Sequence, residues 1–325
     1  MNNRKLSVAL YDDHSFDPAF EFNRLPQNDP DYEFEIYELG RKPIGAHFVL
    51  ISDGLASTKL PYFFPKNRRV CWLKESPLHT RRLDTDELMK TFDVILTHRE
   101  DLIKKGPPFY RVDFSSNWIF HEGYRDIGNE KNSLTSFIGN INHLDEAGYP
   151  LRKEVAKFLL QRNDVDCFGR GIRPIDFKLE ALGQYCFSIA MENFSENFYY
   201  TEKIIDCFMT ETVPIYWGCP AIDDIFNPQG IISFSTVDEL KQIIETLTFQ
   251  KYQEMLPYVR ENKIRCQNLK LSNYDDYLWR CARASEDAGV NVSRPLAKWE
   301  MLKAMAGLRY MYSKLESILS AFKQT

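Results

Sequence analysis

The sequence predicts an α/β protein of two successive parallel-sheet lobes with a cleft between them, followed by a C-terminal amphipathic helix. Three observations carry that expectation. Short, β-branched-rich runs that are apolar throughout recur between helical or loop segments, the pattern of parallel strands covered on both faces. The rhythm breaks once, over 110–135, in a polar, aromatic and turn-rich stretch, and then restarts. The last 32 residues place apolar side chains at every third or fourth position, which is a helical stripe.

In the first lobe, "KLSVALYD", "HFVLIS", "RVCWL" and "DVILTH" read as strands, and "TRRLDTDELMKTF" as a helix between the last two. After the polar break, "LTSFIGN" reads as strand, "LRKEVAKFLLQR" as helix and "DVDCFGRG" as strand. "QYCFSIAME", "TEKIIDCFMTE", "TVPIYWG" and "IISFS" follow as strand, helix, strand and strand, with helices expected over 237–248 and 251–285. The division is therefore 1–132, 133–290 and a terminal helix over 291–325. That helix carries Leu296, Trp299, Leu302, Met305, Leu308, Met311, Leu315, Ile318 and Phe322 on its stripe, with six basic residues against Glu300 and Glu316. Two readings stand for it: a helix packed back on the body, or peripheral contact of residues 294–325 with an anionic membrane surface.

Composition narrows the function classes. A net charge of −5, from 41 basic and 46 acidic residues, argues against nucleic acid as a partner, since its binders carry a basic surplus. Seven cysteines, an odd number with no C-x-x-C spacing, read as buried free thiols in a reducing compartment. The apolar run in "MNNRKLSVALYDD" is only six residues, too short for a signal-peptide core. The expected location is cytoplasmic, with the inner face of the membrane as the alternative through the terminal stripe. Asn193 and Asn291 open Asn-x-Ser triplets, which in that location are chance matches.

Chemistry concentrates in "MENFSENFYYTEKIIDCFMTETVPIYWGCP", residues 191–220. Glu192 and Asn193 fall at the carboxyl end of a strand, where open parallel sheets bind ligands. Thr201 stands where a helix cap belongs, with Glu202 and Lys203 in the first turn. A helix amino terminus attracts phosphate, Lys203 adds a full charge, and Glu202 is suited to sugar hydroxyls. The stretch has neither G-x-G-x-x-G nor G-x-x-x-x-G-K, which excludes the familiar dinucleotide and NTPase loops. A solvated Glu-Lys pair is the plain alternative, against which stand the flanking rings of Phe198, Tyr199 and Tyr200.

The segment "ENFSENFYYTEKIIDCFMTETVPIYWGCPAIDDIFNPQGII" resembles the donor-binding signature of glycosyltransferase family 10, the α1,3/4-fucosyltransferases. Glu192-Asn193, Thr201-Glu202-Lys203, Val213-Pro214-Ile215-Tyr216-Trp217-Gly218, Pro220 and Phe226-Asn227-Pro228 stand in register with it. Upstream, "FIGNINHLDEAGYPLRKEV" is similar to the family's strand and helix start and brings in Arg152. The resemblance implies a GT-B fold of two Rossmann-like lobes, with the nucleotide sugar in the carboxyl-terminal one. By position, Arg152 and Lys203 would neutralise a pyrophosphate, Glu202 and Tyr199 would hold the ribose or sugar, and Glu192 and Asn193 would shape the floor.

The function so implied is an inverting, metal-independent transfer of fucose from GDP-fucose to a glycan acceptor, through an α1,3 link. The partners are a nucleotide sugar and a glycan, with no cofactor and no metal. Two D-x-D pairs exist, but Asp84-Thr-Asp86 reads as a helix cap and Asp164-Val-Asp166 as a turn, and the six His show no ligand spacing. An inverting transfer needs a general base. The family places a Glu after a strand of the amino-terminal lobe, for which "VCWLKESP" offers Glu75, two residues before Pro77. That spacing departs from the family's, and a turn residue is the other reading of Glu75. Asp12, Asp13, His14, His98 and Glu100 are the remaining acids and bases at strand ends. The alternatives for the whole chain are the same fold with another nucleotide-sugar donor, and a non-catalytic nucleotide-sugar or glycan-binding protein.

Overall fold

The computed structural model describes residues 5–12, 31–37, 43–80, 83–119, 130–141, 147–271 and 274–297. They form two compact units. One takes the chain up to Glu75, His79–Val112 and the chain from Leu278 onward; the other takes Ser76–Leu78 and Asp113–Tyr277.

The first unit holds strands β1 (Leu6–Tyr11), β2 (Tyr32–Ile36), β3 (Phe48–Ser52), β4 (Arg69–Leu73), β5 (Ile95–Thr97) and β6 (Phe109–Arg111) in the order β2-β1-β3-β4-β5-β6. Every pairing is parallel. Short helices α1 (Asp53–Ala56), α2 (Pro77–Thr80), α3 (Thr85–Thr91) and α4 (Glu100–Ile103) follow the strands. The expected cap of α3 is present: the Asp84 carboxylate accepts the amides of Asp86 and Glu87 at 3.0 and 3.1 Å.

The second unit repeats the plan. Strands β7 (Ser133–Ile138), β8 (Asp166–Phe168), β9 (Tyr185–Met191), β10 (Val213–Trp217) and β11 (Ile232–Ser233) lie in the order β11-β10-β9-β7-β8, again all parallel. Its helices are α5 (Tyr149–Leu159), α6 (Glu202–Met209), α7 (Val237–Glu245) and α8 (Phe249–Asn268), while most of α9 (Tyr274–Asp287) belongs to the first unit. In each sheet the first two strands run backward across the order and the rest run forward. The direction reverses between β1 and β3 in one, and between β7 and β9 in the other. Crevices outside the carboxyl ends of strands at such reversals are where open α/β sheets hold ligands.

The interior of the second unit explains why α6 stays in place. It lies between β9, β10 and α8, with Ile204, Ile205 and Phe208 wholly buried. Each such side chain contributes about 1.5–3 kcal/mol on leaving water.

Three elements depart from the sequence reading. Strands β2 and β6 were not expected, and both are edges of the first sheet. An edge strand need not be apolar throughout: β2 alternates, with Tyr32 and Phe34 buried and Glu33 exposed. The single helix expected over 251–285 is two, α8 and α9. The Leu271 amide reaches back to the Cys266 carbonyl (2.7 Å) and the Lys270 amide to Gln267 (3.0 Å), the bond pair of a Schellman stop. Its left-handed position is Lys270, at φ +54°, where a glycine would have announced the end. Of the terminal stripe, 291–297 are irregular and 298–325 lie outside the described residues. Among the described residues no helix is long and apolar enough to cross a membrane.

Candidate active site

β9 is buried along its whole length, so the chain leaves the sheet at Glu192, itself wholly buried. The Glu192 amide donates to the Trp217 carbonyl at 2.9 Å, extending the β9–β10 ladder. Its carboxylate turns back onto the start of α6. Oε1 accepts the Thr201 amide at 2.8 Å, Oε2 accepts the Thr201 hydroxyl at 2.7 Å, and Lys203 Nζ stands 3.2 Å from Oε2. A buried carboxylate persists when its lone pairs are met and its charge is balanced, and here both conditions hold.

Thr201 therefore does not cap α6 with its side chain, contrary to the sequence expectation. Its hydroxyl is drawn to Glu192, because an ionised oxygen is the stronger acceptor.

The loop from Asn193 to Tyr200 folds over this carboxylate. Phe198 takes a left-handed φ of +66°, and Ser195 Oγ donates to the Gly218 carbonyl at 2.7 Å. The buried Tyr199 donates its hydroxyl to Asn193 Oδ1 at 2.5 Å. Packing is close enough that Gly218 has no substitute: a Cβ there would lie 2.5 Å from both Glu192 Cγ and Tyr216 Oη. Gly148 is similarly pressed against the Trp217 ring, and its amide donates to the Asn193 carbonyl at 3.0 Å, docking the start of α5 on the same edge.

From α5 the buried Arg152 donates Nη2 to the Met191 carbonyl at 2.7 Å, with its guanidinium carbon 5.1 Å from the Tyr149 ring centre. Burial pulls the Arg152 pKa down, against the nearby Tyr149 and Glu192. The ammonium of Lys203 meets three acceptors: Thr201 Oγ1 at 2.8 Å, Glu202 Oε1 at 3.2 Å and Glu192 Oε2 at 3.2 Å. Burial opposes its charge, but Glu192 and Glu202 outweigh burial and hold its pKa above the ordinary lysine value. Arg152, Glu192, Asn193, Tyr199, Glu202 and Lys203 are thus brought together at the carboxyl end of β9, beside the reversal between β7 and β9.

Two charged members of the cluster were missed by the sequence reading. Lys178, in a 3₁₀ turn over Lys178–Ala181, donates to Glu202 Oε1 at 3.1 Å and to Asp206 Oδ2 at 2.7 Å. Its Nζ lies 4.5 Å from the Trp118 ring centre, and the Trp118 amide donates to Asp206 Oδ1 at 2.7 Å. Burial opposes ionisation of Glu202, yet Lys178 and Lys203 prevail and hold it well below the usual carboxylate range. Burial raises Asp206 to about 6, with Glu202 adding to the rise and Lys178 opposing it. Asp206 was visible in sequence as an acid one turn beyond Glu202 on an apolar helix. Lys178, 24 residues before Glu202, left no such sign.

In the first unit, Glu75 follows β4 and is half-buried. Its amide donates to Asp53 Oδ1 at 3.2 Å, and the Lys74 amide to the same oxygen at 3.1 Å. Asp53 takes a positive φ of +25° to do this, a strained geometry held by those bonds. His98 Nε2 is 3.0 Å from the Glu75 carbonyl; a carbonyl only accepts, so Nε2 carries the proton. Of the other acids at strand ends, Asp12 takes Lys74 Nζ on both oxygens (2.5 and 2.6 Å) and Ser52 Oγ at 3.0 Å, and Glu100 pairs with Lys104 at 2.8 Å. Asp13 and His14 lie outside the described residues.

Neither D-x-D pair is gathered for a metal. Asp84 caps α3, Asp164 pairs with Arg162 at 2.6 Å, and Asp166 accepts the Tyr185 hydroxyl at 2.8 Å. Among the described residues no group of three His, Cys, Asp or Glu side chains is placed to hold a metal ion.

Comparison with known proteins bears on this cluster directly. The model of glycosyltransferase family 10 (fucosyltransferase), C-terminal part, matches residues 129–297, just over half of the chain. The alpha-(1,3)-fucosyltransferase FucT of Helicobacter pylori is 43% identical over 75 residues, which are 23% of this chain and 15% of that relative. Among solved structures, an alpha1,3-fucosyltransferase with GDP superposes with a TM-score of 0.50 at 18% identity, over 88% of this chain and 92% of that one. A second alpha1,3-fucosyltransferase structure gives 0.51 at 17% identity, over 90% and 93%. At those identities the likeness concerns the fold, which is that of the GT-B glycosyltransferases.

Proposed function

The chain belongs to glycosyltransferase family 10, the fucosyltransferases, and from that premise we propose that it moves fucose from GDP-fucose to a hydroxyl of a glycan acceptor, with inversion and without a metal. The observation that carries the proposal is the cluster of buried charged side chains at the carboxyl end of β9. Arg152 and Lys203 flank the amino terminus of α6, whose free amides favour a diphosphate. Fixed cations and amide groups of this kind stabilise the charge that develops on a leaving nucleoside diphosphate, which is the largest demand of the reaction. Glu202 and Tyr199 are assigned to the ribose or sugar, and Glu192 and Asn193 to the floor beneath them. An α1,3 link is the linkage we propose, following the names of the related enzymes.

The acceptor hydroxyl attacks the anomeric carbon from the side opposite the diphosphate, and a carboxylate takes its proton. We assign that carboxylate to Glu75. The support is its place after β4, with its amide held by Asp53 and its carbonyl by His98. The seven cysteines are free thiols, which supports a reducing, cytoplasmic setting.

The test is incubation with GDP-fucose and with other GDP- and UDP-sugars, with and without EDTA, while released nucleotide is measured. The proposal expects GDP release from GDP-fucose that depends on a glycan acceptor, persists in EDTA and yields a product of inverted anomeric configuration. Release from another nucleotide sugar in preference would move the reading to that donor. GDP binding with no turnover on any glycan would make the protein a nucleotide-sugar-binding one, and no GDP binding would end the proposal.

A further inference from the structure

The ammonium of Lys203 has three protons to donate, and three protein acceptors already meet it: Thr201 Oγ1, Glu202 Oε1 and Glu192 Oε2. If this cluster is the donor site, as proposed above, a diphosphate can engage Lys203 only by displacing one of them. Withdrawal from Glu202 is costly if it leaves a buried carboxylate without a counter-ion. Lys178 removes that cost, because its Nζ stands 3.1 Å from the same Oε1. We propose that Lys178 is a positioning residue: the second counter-ion of Glu202, whose presence lets Lys203 turn from Glu202 to the diphosphate of the donor.

Two features suit Lys178 to this part. It is held independently of Glu202, by Asp206 at 2.7 Å and by the Trp118 ring at 4.5 Å. The turn that carries it is fixed by Glu180 Oε1, which accepts the amides of Asp176 and Phe177 at 3.1 and 2.8 Å. It therefore need not move when Lys203 does. The charges agree: Arg152, Lys178 and Lys203 balance Glu192, Glu202 and Asp206 one for one. A bound diphosphate makes the cluster net negative, and the cations have to be shared anew toward the ligand.

The plain alternative is that Lys178 only neutralises Asp206, and a double-mutant cycle separates the two. The full chain is titrated calorimetrically with GDP and with inorganic pyrophosphate, which has no ribose to contact Glu202. The variants are Lys178→Met, Lys178→Arg, Glu202→Gln and Lys178→Met/Glu202→Gln, each checked for folding by thermal melting. Expected is a loss of about tenfold or more in pyrophosphate affinity for Lys178→Met alone, and of less than about threefold when it is added to Glu202→Gln, since no carboxylate then traps Lys203. Lys178→Arg keeps the charge and should stay within about threefold of the wild type. Equal losses in both backgrounds, no loss in Lys178→Met, or a large loss in Lys178→Arg overturns the inference. If Lys178→Met alone does not fold, a large loss on adding it to Glu202→Gln still overturns it, and retained affinity in that pair and in Lys178→Arg supports it. Failure of the wild type to bind GDP or pyrophosphate, or binding by Lys203→Met equal to the wild type, overturns the donor-site reading itself and the inference with it.

Discussion

Replacing Glu192 by alanine tests whether the buried carboxylate builds the site or merely lines it. The substitution removes the acceptors of the Thr201 amide and hydroxyl and one of the two carboxylates facing Lys203. An amide left unmet in the interior costs about 1–3 kcal/mol. Breaking a buried charge pair from one side costs about 3–5 kcal/mol, here at the low end because Lys203 keeps Glu202 at 3.2 Å. The expected loss is about 4–6 kcal/mol, or about 8–24 °C in melting temperature for a unit of this size. Glu192→Gln keeps the volume and one acceptor and should lose about half as much. Urea and thermal unfolding followed by circular dichroism measure both. A shift below about 3 °C for Glu192→Ala, or equal losses for the two variants, would refute the claim that this carboxylate organises the start of α6.

Gly218→Ala forces a methyl to within 2.5 Å of Glu192 Cγ and Tyr216 Oη; it should cost about 1–3 kcal/mol and weaken GDP binding, read by melting and titration. Glu75→Gln should lower kcat by about 10²–10⁴-fold, the usual share of a general base, with little change in the donor's KM; unchanged kcat would return Glu75 to a turn residue. Lys270→Gly should raise stability by about 1 kcal/mol, because glycine takes the left-handed φ of +54° without strain; a lower urea midpoint would contradict the helix stop described. Burial pushes Lys131 down to about 8, below the unfolded value of about 10.4. Between those pH values the unfolded chain holds more protons, so wild-type stability should rise with pH relative to Lys131→Met. A difference that does not change between pH 7.5 and 10 would count against that shift.

The parts of the fold that were legible share one property: their residues had no choice of face. β9 and β10 are buried on both sides and read as unbroken apolar runs. The edges β2 and β6 escaped because one neighbour and one wet face leave room for Glu33 or Arg111. The stop after α8 escaped because a lysine does the work of a glycine. At the site, the six residues named from the family resemblance lie together, and Asp84 does cap its helix. What the signature withheld was electrostatic. Nothing in Thr-Glu-Lys says that the threonine hydroxyl will turn to Glu192. Nothing there says that a lysine from a distant turn will share the oxygen of Glu202. Such pairings are set by tertiary packing, which brings together chain segments whose order in sequence carries no record of it.

The two sheets share one strand order over five strands, the first adding β6, and differ in the charges at their edges. At the reversal between β7 and β9 three cations, Arg152, Lys178 and Lys203, stand among three acids, and Lys203 is bound to its partners at distances up to 3.2 Å. In the first unit, among the described residues, Lys74 lies among Asp12, Asp53 and Glu75, and Asp12 holds it on both oxygens at 2.5 and 2.6 Å. The second edge thus offers an incoming anion more positive charge than Lys74 offers at the first. A diphosphate near the first edge would meet a surplus of carboxylates, which disfavours it at any distance inside a Debye length. A neutral sugar hydroxyl suffers no such penalty. This difference in charge supports the proposed placing of the donor on the second unit and of the acceptor on the first.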